Sequence, residues 1–361
     1  MQFDLLVNPA APRPLLQAPN VREYVVRAGT NTPLSVWALP EIAPLQKCDI
    51  FHATANILPA RLGMKTVVSI HDLMWLDHPG WCDSTPLAPI KRAFYQSGIR
   101  RALNRANAIA AISDATKTAI LARHPALADR TQVTLPGLSA RFAPAAHDQA
   151  ILARYGLDAD APFALVVGQN APYKNHQAAL RGFAAARAGA PAHGAHDAHH
   201  AHHAHDADPA WDKARLVLVQ RQGGGRHDLR ALADDLGIGD AIIFTGPVDE
   251  AGLIQLYSRA RALLHPSLCE GFGNPVVEAM ACGCPVITSN LSAMPQTAGG
   301  AAILIDPRDP DAIAGALNTV WHDPARRAAM KQAGMARAGR LNWGDCARAN
   351  IAIYRALIAA S

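Results

Sequence analysis

Apolar residues fall along this chain in short blocks, separated by longer stretches in which they recur every three or four positions. Residues 3–7 (FDLLV), 48–52 (CDIFH), 66–70 (TVVSI), 108–112 (AIAAI) and 131–135 (TQVTL) are compact apolar or β-branched runs, and this pattern predicts strands. Between the third and fourth runs, residues 89–107 carry Ile90, Phe94, Ile99 and Leu103 roughly on one side of a helix. Lys91, Arg92, Arg100, Arg101 and Arg105 surround them. Ser113 is placed to cap a further helix, DATKTAILARH. A second series follows, with strands predicted over 163–167, 216–219, 241–244, 262–264, 285–287 and 302–305. A helix is expected over 176–188, and an apolar-faced one over 343–359 closes the chain. Strands that alternate with helices predict parallel sheets covered by helices, an α/β fold. The segment 143–160 reads as the boundary between the two series.

At 361 residues the chain is long for a single core, which also argues for two domains. The net charge of +5 is unevenly spread. Residues 1–145 hold 15 Lys/Arg against 9 Asp/Glu, and the remainder holds 19 against 20. The basic excess of the front half suits an anionic acceptor or a membrane surface, or is simply a solvated basic face. The helix 89–107 has the same two readings, interfacial or packed on a sheet. The six cysteines show no paired zinc spacing and read as small buried thiols in a reducing compartment. The first residues, MQFDLLVNPAAPRP, lack the regions of a signal peptide, and no apolar run approaches the ~20 residues of a membrane span. A cytoplasmic protein is expected, at most peripheral on the inner face of the plasma membrane. Seven histidines crowd residues 193–205 (HGAHDAHHAHHAH). A surface loop with incidental metal affinity accounts for them.

The chemistry concentrates in residues 269–290, CEGFGNPVVEAMACGCPVITSN. Glu270 and Glu278 stand eight positions apart, with a Gly271-Phe272-Gly273-Asn274-Pro275 turn between them and a helical apolar run after it. Glycines let backbone approach a ligand closely, and a helix start offers N–H groups to negative charge. One carboxylate in the loop and one two turns along the helix suit a sugar nucleotide.

Four stretches, VVGQNAPYKNHQAAL (166–180), FTGPVDEAGLIQLYSRARALLHPS (244–267), EGFGNPVVEAMACGCPVI and LNWGDCARANIAIYRAL (341–357), resemble retaining glycosyltransferases of family 4. In the front half FHATANILP (51–59), KTVVSIHDL (65–73) and AAISDATK (110–117) resemble the subgroup of bacterial mannosyltransferases of surface polysaccharide and O-antigen assembly. The resemblance implies the GT-B fold: two Rossmann-like, doubly wound domains facing a cleft, with a C-terminal helix crossing back. The expected division is 1–145 on the acceptor side, 146–342 for the nucleotide sugar (with the His-rich loop 191–210), and 343–361 for the crossing helix. It further implies that Glu270 faces the donor sugar and that Gly271 and the N–H groups of Phe272, Gly273 and Asn274, ahead of Pro275, meet sugar or phosphate. Glu278 would take the ribose hydroxyls. Lys174, beyond Gly168, would neutralise the diphosphate, and Arg221 would add a second cation. Gln169 stands where many members carry Arg.

In the front domain His71, directly after a predicted strand, would touch the donor sugar, with Asp72 beside it. Ser113 is a cap or a ligand contact. No D-x-D metal site is evident, so neither a catalytic metal nor a cofactor is expected, the donor being a co-substrate. The partners implied are a nucleotide sugar, a glycan or lipid-linked glycan acceptor and an anionic membrane surface, with no nucleic acid. The expected reaction is transfer of a hexose, mannose from GDP-mannose, onto a growing surface glycan. UDP-glucose as donor, a soluble glycogen-synthase-like role, and a truncated paralogue that binds nucleotide sugar without turnover are the alternatives. Family members open on a strand and a Gly-rich loop, whereas here the first glycine is Gly29. The expectation is therefore a chain that starts at the usual second strand, from a late start codon or a reduced front sheet.

Overall fold

The computed structural model describes residues 1–11, 14–158, 161–189, 209–220 and 228–360. The histidine-rich tract and Arg221 lie outside the described residues. The chain divides into two compact units. One is Met1–Leu135 with Ala347–Ser361, and the other is Pro136–Cys346.

In the first unit β1 (Phe3–Val7) pairs in parallel with β2 (Val21–Val25). A separate parallel sheet runs in the order β3 (Ile50–Ala53), β4 (Lys65–Ile70), β5 (Ala108–Ala111), β6 (Thr131–Val133). The runs TVVSI and AIAA become its two central strands because both of their faces are covered, and a doubly covered strand must be apolar throughout. Val68, Ile70, Ile109 and Ala111 meet Ile99, Ala102 and Leu103 of helix Ala88–Arg105 on one face. Val67, Ala108 and Ala110 meet Ile353 of helix Trp343–Ala359 on the other.

The basic helix is thus a covering layer. Phe94, Ile99 and Leu103 pack inward, but Ile90 departs from the expected stripe and is 69% exposed. Arg101 also turns inward, donating to Leu58 O at 3.0 Å while its guanidinium lies 4.9 Å from the Trp37 ring centre. Ser113 is wholly buried and its Oγ accepts from Thr116 N–H at 3.0 Å, the geometry of a helix cap.

The second unit is one six-stranded parallel sheet. Its strands are β7 (Phe163–Val167), β8 (Arg215–Val219), β9 (Ile242–Gly246), β10 (Ala262–His265), β11 (Val286–Ser289) and β12 (Ile303–Ile305). The spatial order is β12-β11-β10-β7-β8-β9. From β7 the chain winds outward through β8 and β9, then returns across the sheet to build β10, β11 and β12 on the other side. The winding reverses between β7 and β10. In open parallel sheets such a reversal leaves a crevice outside the carboxyl ends of the two strands. The main core gathers Leu180, Phe183, Leu216, Leu218, Leu264, Leu317 and Trp321 beneath it.

Helix His176–Arg187 packs on helix Pro310–His322 through Gly182, where a Cβ would run into the Ile313 side chain and approach Pro310 O at 3.3 Å. Helix propensity alone favours alanine there by about 1 kcal/mol. The crowding reverses the sign, since overpacking costs roughly 1–3 kcal/mol. Gly182→Ala should therefore lower stability by up to about 2 kcal/mol in denaturant unfolding. A gain of stability would mean the two helices can separate without cost.

Candidate active site

The loops that follow β7 and β10 meet at the reversal. β7 ends in Gly168, whose φ of +145° is one an L side chain rarely adopts. A Cβ there would stand 3.3 Å from Cε of Lys174, so the missing side chain is also what lets the lysine stem lie along the strand end. The chain then turns through Pro172–Lys174 and enters helix His176–Arg187 by way of Asn175. Asn175 is left-handed (φ 55°), and its Nδ2 donates to Pro266 O at 3.2 Å and to Pro307 O at 2.6 Å. Leu268 N–H donates to Tyr173 O at 2.7 Å. These bonds fix the turn after β7 to the loops after β10 and β12.

What the tie presents is a cluster on one carboxylate oxygen. Lys174 Nζ lies 2.5 Å from Glu270 Oε1, and the two side chains are only 11% and 12% exposed. Ser267 Oγ donates to the same Oε1 at 2.9 Å, and His265 Nε2 lies 3.2 Å from it. None of the described hydrogen bonds engages Oε2. Burial by itself raises the Glu270 pKa, but the His265 hydrogen bond and the Lys174 charge outweigh it and hold the carboxyl at about 2. His265, itself buried, is lowered. His176 is pushed down to about 3, chiefly by burial and then by the charges of His265 and Lys174, and its Nδ1 sits 3.1 Å from Gln220 Nε2. Glu270 is also held through its backbone. Its N–H donates to Ser292 Oγ at 3.2 Å, and that hydroxyl donates to Glu270 O at 2.8 Å.

Beyond Glu270, Gly273 (φ 96°) starts helix Asn274–Ala281 with no side chain capping the first turn. A helix start of this kind carries N–H groups with partial positive charge. Pro275 follows with no N–H of its own. A Cβ on Gly273 would strike Met294 Cε. Thr297 Oγ1 donates to the carbonyl of buried Phe272, and Gly271 is buried beside it. Two turns along, Glu278 Oε2 accepts from the wholly buried Tyr257 hydroxyl at 3.0 Å. Burial raises the Glu278 pKa, opposed by that hydrogen bond and by the charge of Lys174.

Lys174 and Glu270 are thus brought into contact, and Lys174 acts electrostatically on Glu278 as well. Gly168 packs on the Lys174 stem. Gln169 Nε2 donates to the Tyr173 hydroxyl at 3.1 Å, so the two side chains brace the turn together. His71 belongs to the first unit. Its N–H donates to Asn56 Oδ1 at 2.6 Å and its Nε2 lies 2.8 Å from Thr54 O, at the carboxyl end of β4. Asp72 Oδ1 accepts from Met74 N–H. Sequence reasoning missed His265, Ser267 and Ser292. The first two were within reach, because LLHPS ends a strand just as VSIH does.

The profile of the family described as "Glycosyl transferases group 1" matches residues 148–337. "O-antigen chain mannosyltransferase B" of Escherichia coli is 27% identical over 325 residues, 89% of this chain and 77% of that one. "D-inositol 3-phosphate glycosyltransferase 1" of Catenulispora acidiphila is 28% identical, over 99% of this chain and 87% of its own. Among solved structures, sucrose-phosphate synthase from Thermosynechococcus elongatus aligns with a TM-score of 0.70 at 24% identity, covering 99% of this chain and 89% of that one. WaaG, a glycosyltransferase involved in lipopolysaccharide biosynthesis, aligns at 0.67 and 15% identity, over 93% and 87%. The fold they share with this chain is GT-B, with two Rossmann-like parallel α/β domains.

The tie through Asn175 gives a stability test that needs no substrate. Asn175→Ala loses two hydrogen bonds of about 1 kcal/mol each and forces alanine into the left-handed region at about 1–2 kcal/mol. A loss of about 3 kcal/mol in denaturant unfolding is expected. Asn175→Gly should recover about 1 kcal/mol of it, the backbone share. Equal losses for the two variants would mean the left-handed turn is not a source of strain.

Proposed function

The chain belongs to the group 1 family of glycosyl transferases, and we propose from this that it transfers a hexose, mannose from GDP-mannose, to a growing lipid-linked surface glycan with retention of configuration. The similarity to the E. coli O-antigen mannosyltransferase supports the choice of sugar and acceptor. The observation that carries the reading is the convergence of Lys174, Ser267 and His265 on a single oxygen of Glu270.

That convergence divides the labour of the site. Lys174 has three N–H donors, one of which goes to Glu270. On this reading the other two serve the diphosphate, which gains negative charge as the glycosidic bond breaks. The uncapped helix start, with the N–H groups of Gly273 and Asn274, adds fixed donors for the same charge or for sugar hydroxyls. Such donors are effective because they need no reorganisation in the transition state. Oε2 of Glu270 is left to accept from a hydroxyl of the donor sugar. Glu278, with one oxygen on Tyr257, offers the other to the ribose. Reaction on the front face of the sugar lets the departing phosphate take the acceptor proton, so Glu270 serves as an electrostatic and positioning residue. His71 and Arg221 retain their expected roles at the sugar and the diphosphate as part of this proposal. No helix among the described residues is long and apolar enough to cross a membrane. A lipid-linked acceptor would then be met at the membrane surface.

A second donor, UDP-glucose, is favoured by a solved neighbour described as the Anabaena protein HepE in complex with UDP-glucose, which aligns at a TM-score of 0.64 and 20% identity over 94% of this chain and 86% of that one. A donor panel read by thermal shift separates the two, since ligand bound only to the native state raises Tm. GDP and GDP-mannose are expected to raise Tm more than UDP and UDP-glucose, and the reverse order would reassign the base and the sugar. Lys174→Ala and Glu270→Ala should each lower kcat by about 10²–10³-fold. Full binding with no turnover by the unaltered protein would instead support the non-catalytic reading.

The pH behaviour follows from sign. A carboxyl depressed to about 2 in the fold stays ionised above the ordinary carboxylate range, and its stabilising share is lost only as pH falls through about 2. Glu270→Gln should therefore reduce activity by the same factor at every pH between 5.5 and 8.5. A factor that changes with pH would show that Glu270 titrates in that range.

A further inference from the structure

The segment between β11 and β12 reads LSAMPQTAGG (291–300). Pro295 in its first turn and left-handed Gly299 (φ 54°) at its end confine a helix to Met294–Ala298. A helix this short does not hold itself by propensity, so its neighbours must fix it. It packs against the turn that carries Glu270, and three side chains of the segment each hold a different residue of that turn. Ser292 Oγ accepts from Glu270 N–H at 3.2 Å and donates to Glu270 O at 2.8 Å. Thr297 Oγ1 donates to Phe272 O. Met294 Cε occupies the place that a side chain on Gly273 would need.

These bonds set the direction of two amides. A peptide group is planar and trans, so the C=O of one residue and the N–H of the next point opposite ways. With the carbonyls of Glu270 and Phe272 turned to Ser292 and Thr297, the N–H groups of Gly271 and Gly273 point away from the segment. Both glycines are buried, and none of the described hydrogen bonds engages either N–H. A buried amide without a partner costs free energy, and a ligand that accepts from it recovers that cost. The far side of the segment is braced in turn. Arg337 Nε donates to Thr297 O at 3.1 Å, and its Nη2 donates to Gln296 O at 2.8 Å. These are among the last carbonyls of the helix, where a cation is favourable. A Cβ on Gly299 would stand 2.5 Å from that Nε, so the glycine that ends the helix also admits the arginine.

We infer that segment 292–297, braced by Arg337, is a strut that aims the N–H groups of Gly271 and Gly273 at the diphosphate of the donor, which makes Thr297 and Arg337 positioning residues that touch no substrate. The inference rests on the proposed transfer from a nucleotide sugar. Lys174 and the helix start supply charge, and the strut supplies direction. The diphosphate gains charge as the glycosidic bond breaks, so an amide held on line is worth more in the transition state than in the bound substrate. A misaimed amide therefore costs turnover more than binding. Helix Pro324–Ala338, which carries Arg337, also backs helix Asn274–Ala281, into which the turn leads: a Cβ on its Gly334 would stand 3.2 Å from Met280 Cγ. One helix thus fixes both the support of the turn and its continuation.

Release of GDP from GDP-mannose tests this, with a lipid extract of its own cells as the acceptor source and UDP-glucose as the second donor. Thr297→Val keeps the shape of the side chain and removes the hydroxyl. It should lower kcat at least about tenfold and change KM by less than about threefold. Thr297→Ser keeps the hydroxyl and should recover most of the loss. Arg337→Met should lower kcat in the same direction, and its combination with Thr297→Val should add little, since both act through Thr297 on one carbonyl. Amide exchange follows the turn without substrate. The Val276 N–H, which donates to Gly273 O, should exchange at least about fivefold faster in Thr297→Val than in Thr297→Ser, with β10 unchanged in both. Equal kcat in Thr297→Val and the unaltered protein, alongside an inactive Glu270→Ala, overturns the strut and leaves the transfer reading standing. Equal losses in the valine and serine variants overturn it too, because packing and not the hydrogen bond would then matter. An unaltered protein that releases neither GDP nor UDP removes the transfer reading and the strut's role with it.

Discussion

The carboxyl end of the second sheet depends on one buried charge pair, Lys174 with Glu270. Taking two ions out of water costs several kcal/mol for each, and their attraction offsets this only where the geometry is close and the remaining lone pairs are met. Here Ser267 and His265 meet the same oxygen that Lys174 holds. Removing either member would leave an uncompensated charge, a loss of about 3–5 kcal/mol. The turn after β7 and the loop after β10 are therefore a single structural element, although ninety-six positions separate the pair. The backbone around them carries the cost of that union. Asn175 and Ser292 are both left-handed without being glycine. Each is held there by hydrogen bonds to the loops it joins, Asn175 to Pro266 and Pro307, Ser292 to Glu270.

The position of the pair follows from the order of strands. In a parallel sheet all loops that leave the strands emerge at one edge, and adjacent loops normally turn to opposite faces only where the winding reverses. β7 and β10 are the two strands at that reversal. Their loops are the ones free to hold side chains toward a shared space instead of packing on a covering helix. Helix Asn274–Ala281 then begins next to this space, so that fixed N–H dipoles and the lysine charge act in the same region.

The core strands were legible because burial on both faces leaves no room for polar residues. FALVV and the TVVSI and AIAA runs appear in the structure within a residue or so of where periodicity sets them. β2 was not legible. VREYV places Arg22 and Glu23 inside a strand, an arrangement tolerated at the edge of a two-stranded sheet, and the pattern gives no apolar alternation to follow. The short helix Pro33–Trp37 was missed for a similar reason, since its start is a capping box of Thr32 and Ser35 with no apolar stripe behind it. At the site, Glu270 was singled out by the glycine turn beside it, and Lys174 by the family resemblance of the stretch that carries it. His265 and Ser267 were passed over although LLHPS ends a strand as VSIH does, since only the sheet order shows that the lysine reaches them.

The two glutamates of the segment illustrate how one short stretch holds two carboxyls in opposed environments. Eight positions apart, they differ in environment. Glu270 has a cation and two hydrogen-bond donors on one oxygen and is held far below the ordinary carboxylate range. Glu278 has a buried tyrosine hydroxyl as its bonded partner, and burial moves it the opposite way. Environments that drive two carboxyls apart mark distinct roles. A strongly ionised, rigidly held oxygen pair is a poor base but a steady source of negative potential, suited on the proposed reading to a sugar whose ring carbon becomes cationic. A carboxylate raised by burial is a better hydrogen-bond acceptor, suited on that same proposed reading to the neutral hydroxyls of a ribose. Exchanging the two environments while keeping both residues would leave the sequence motif intact and remove the physical reason for it.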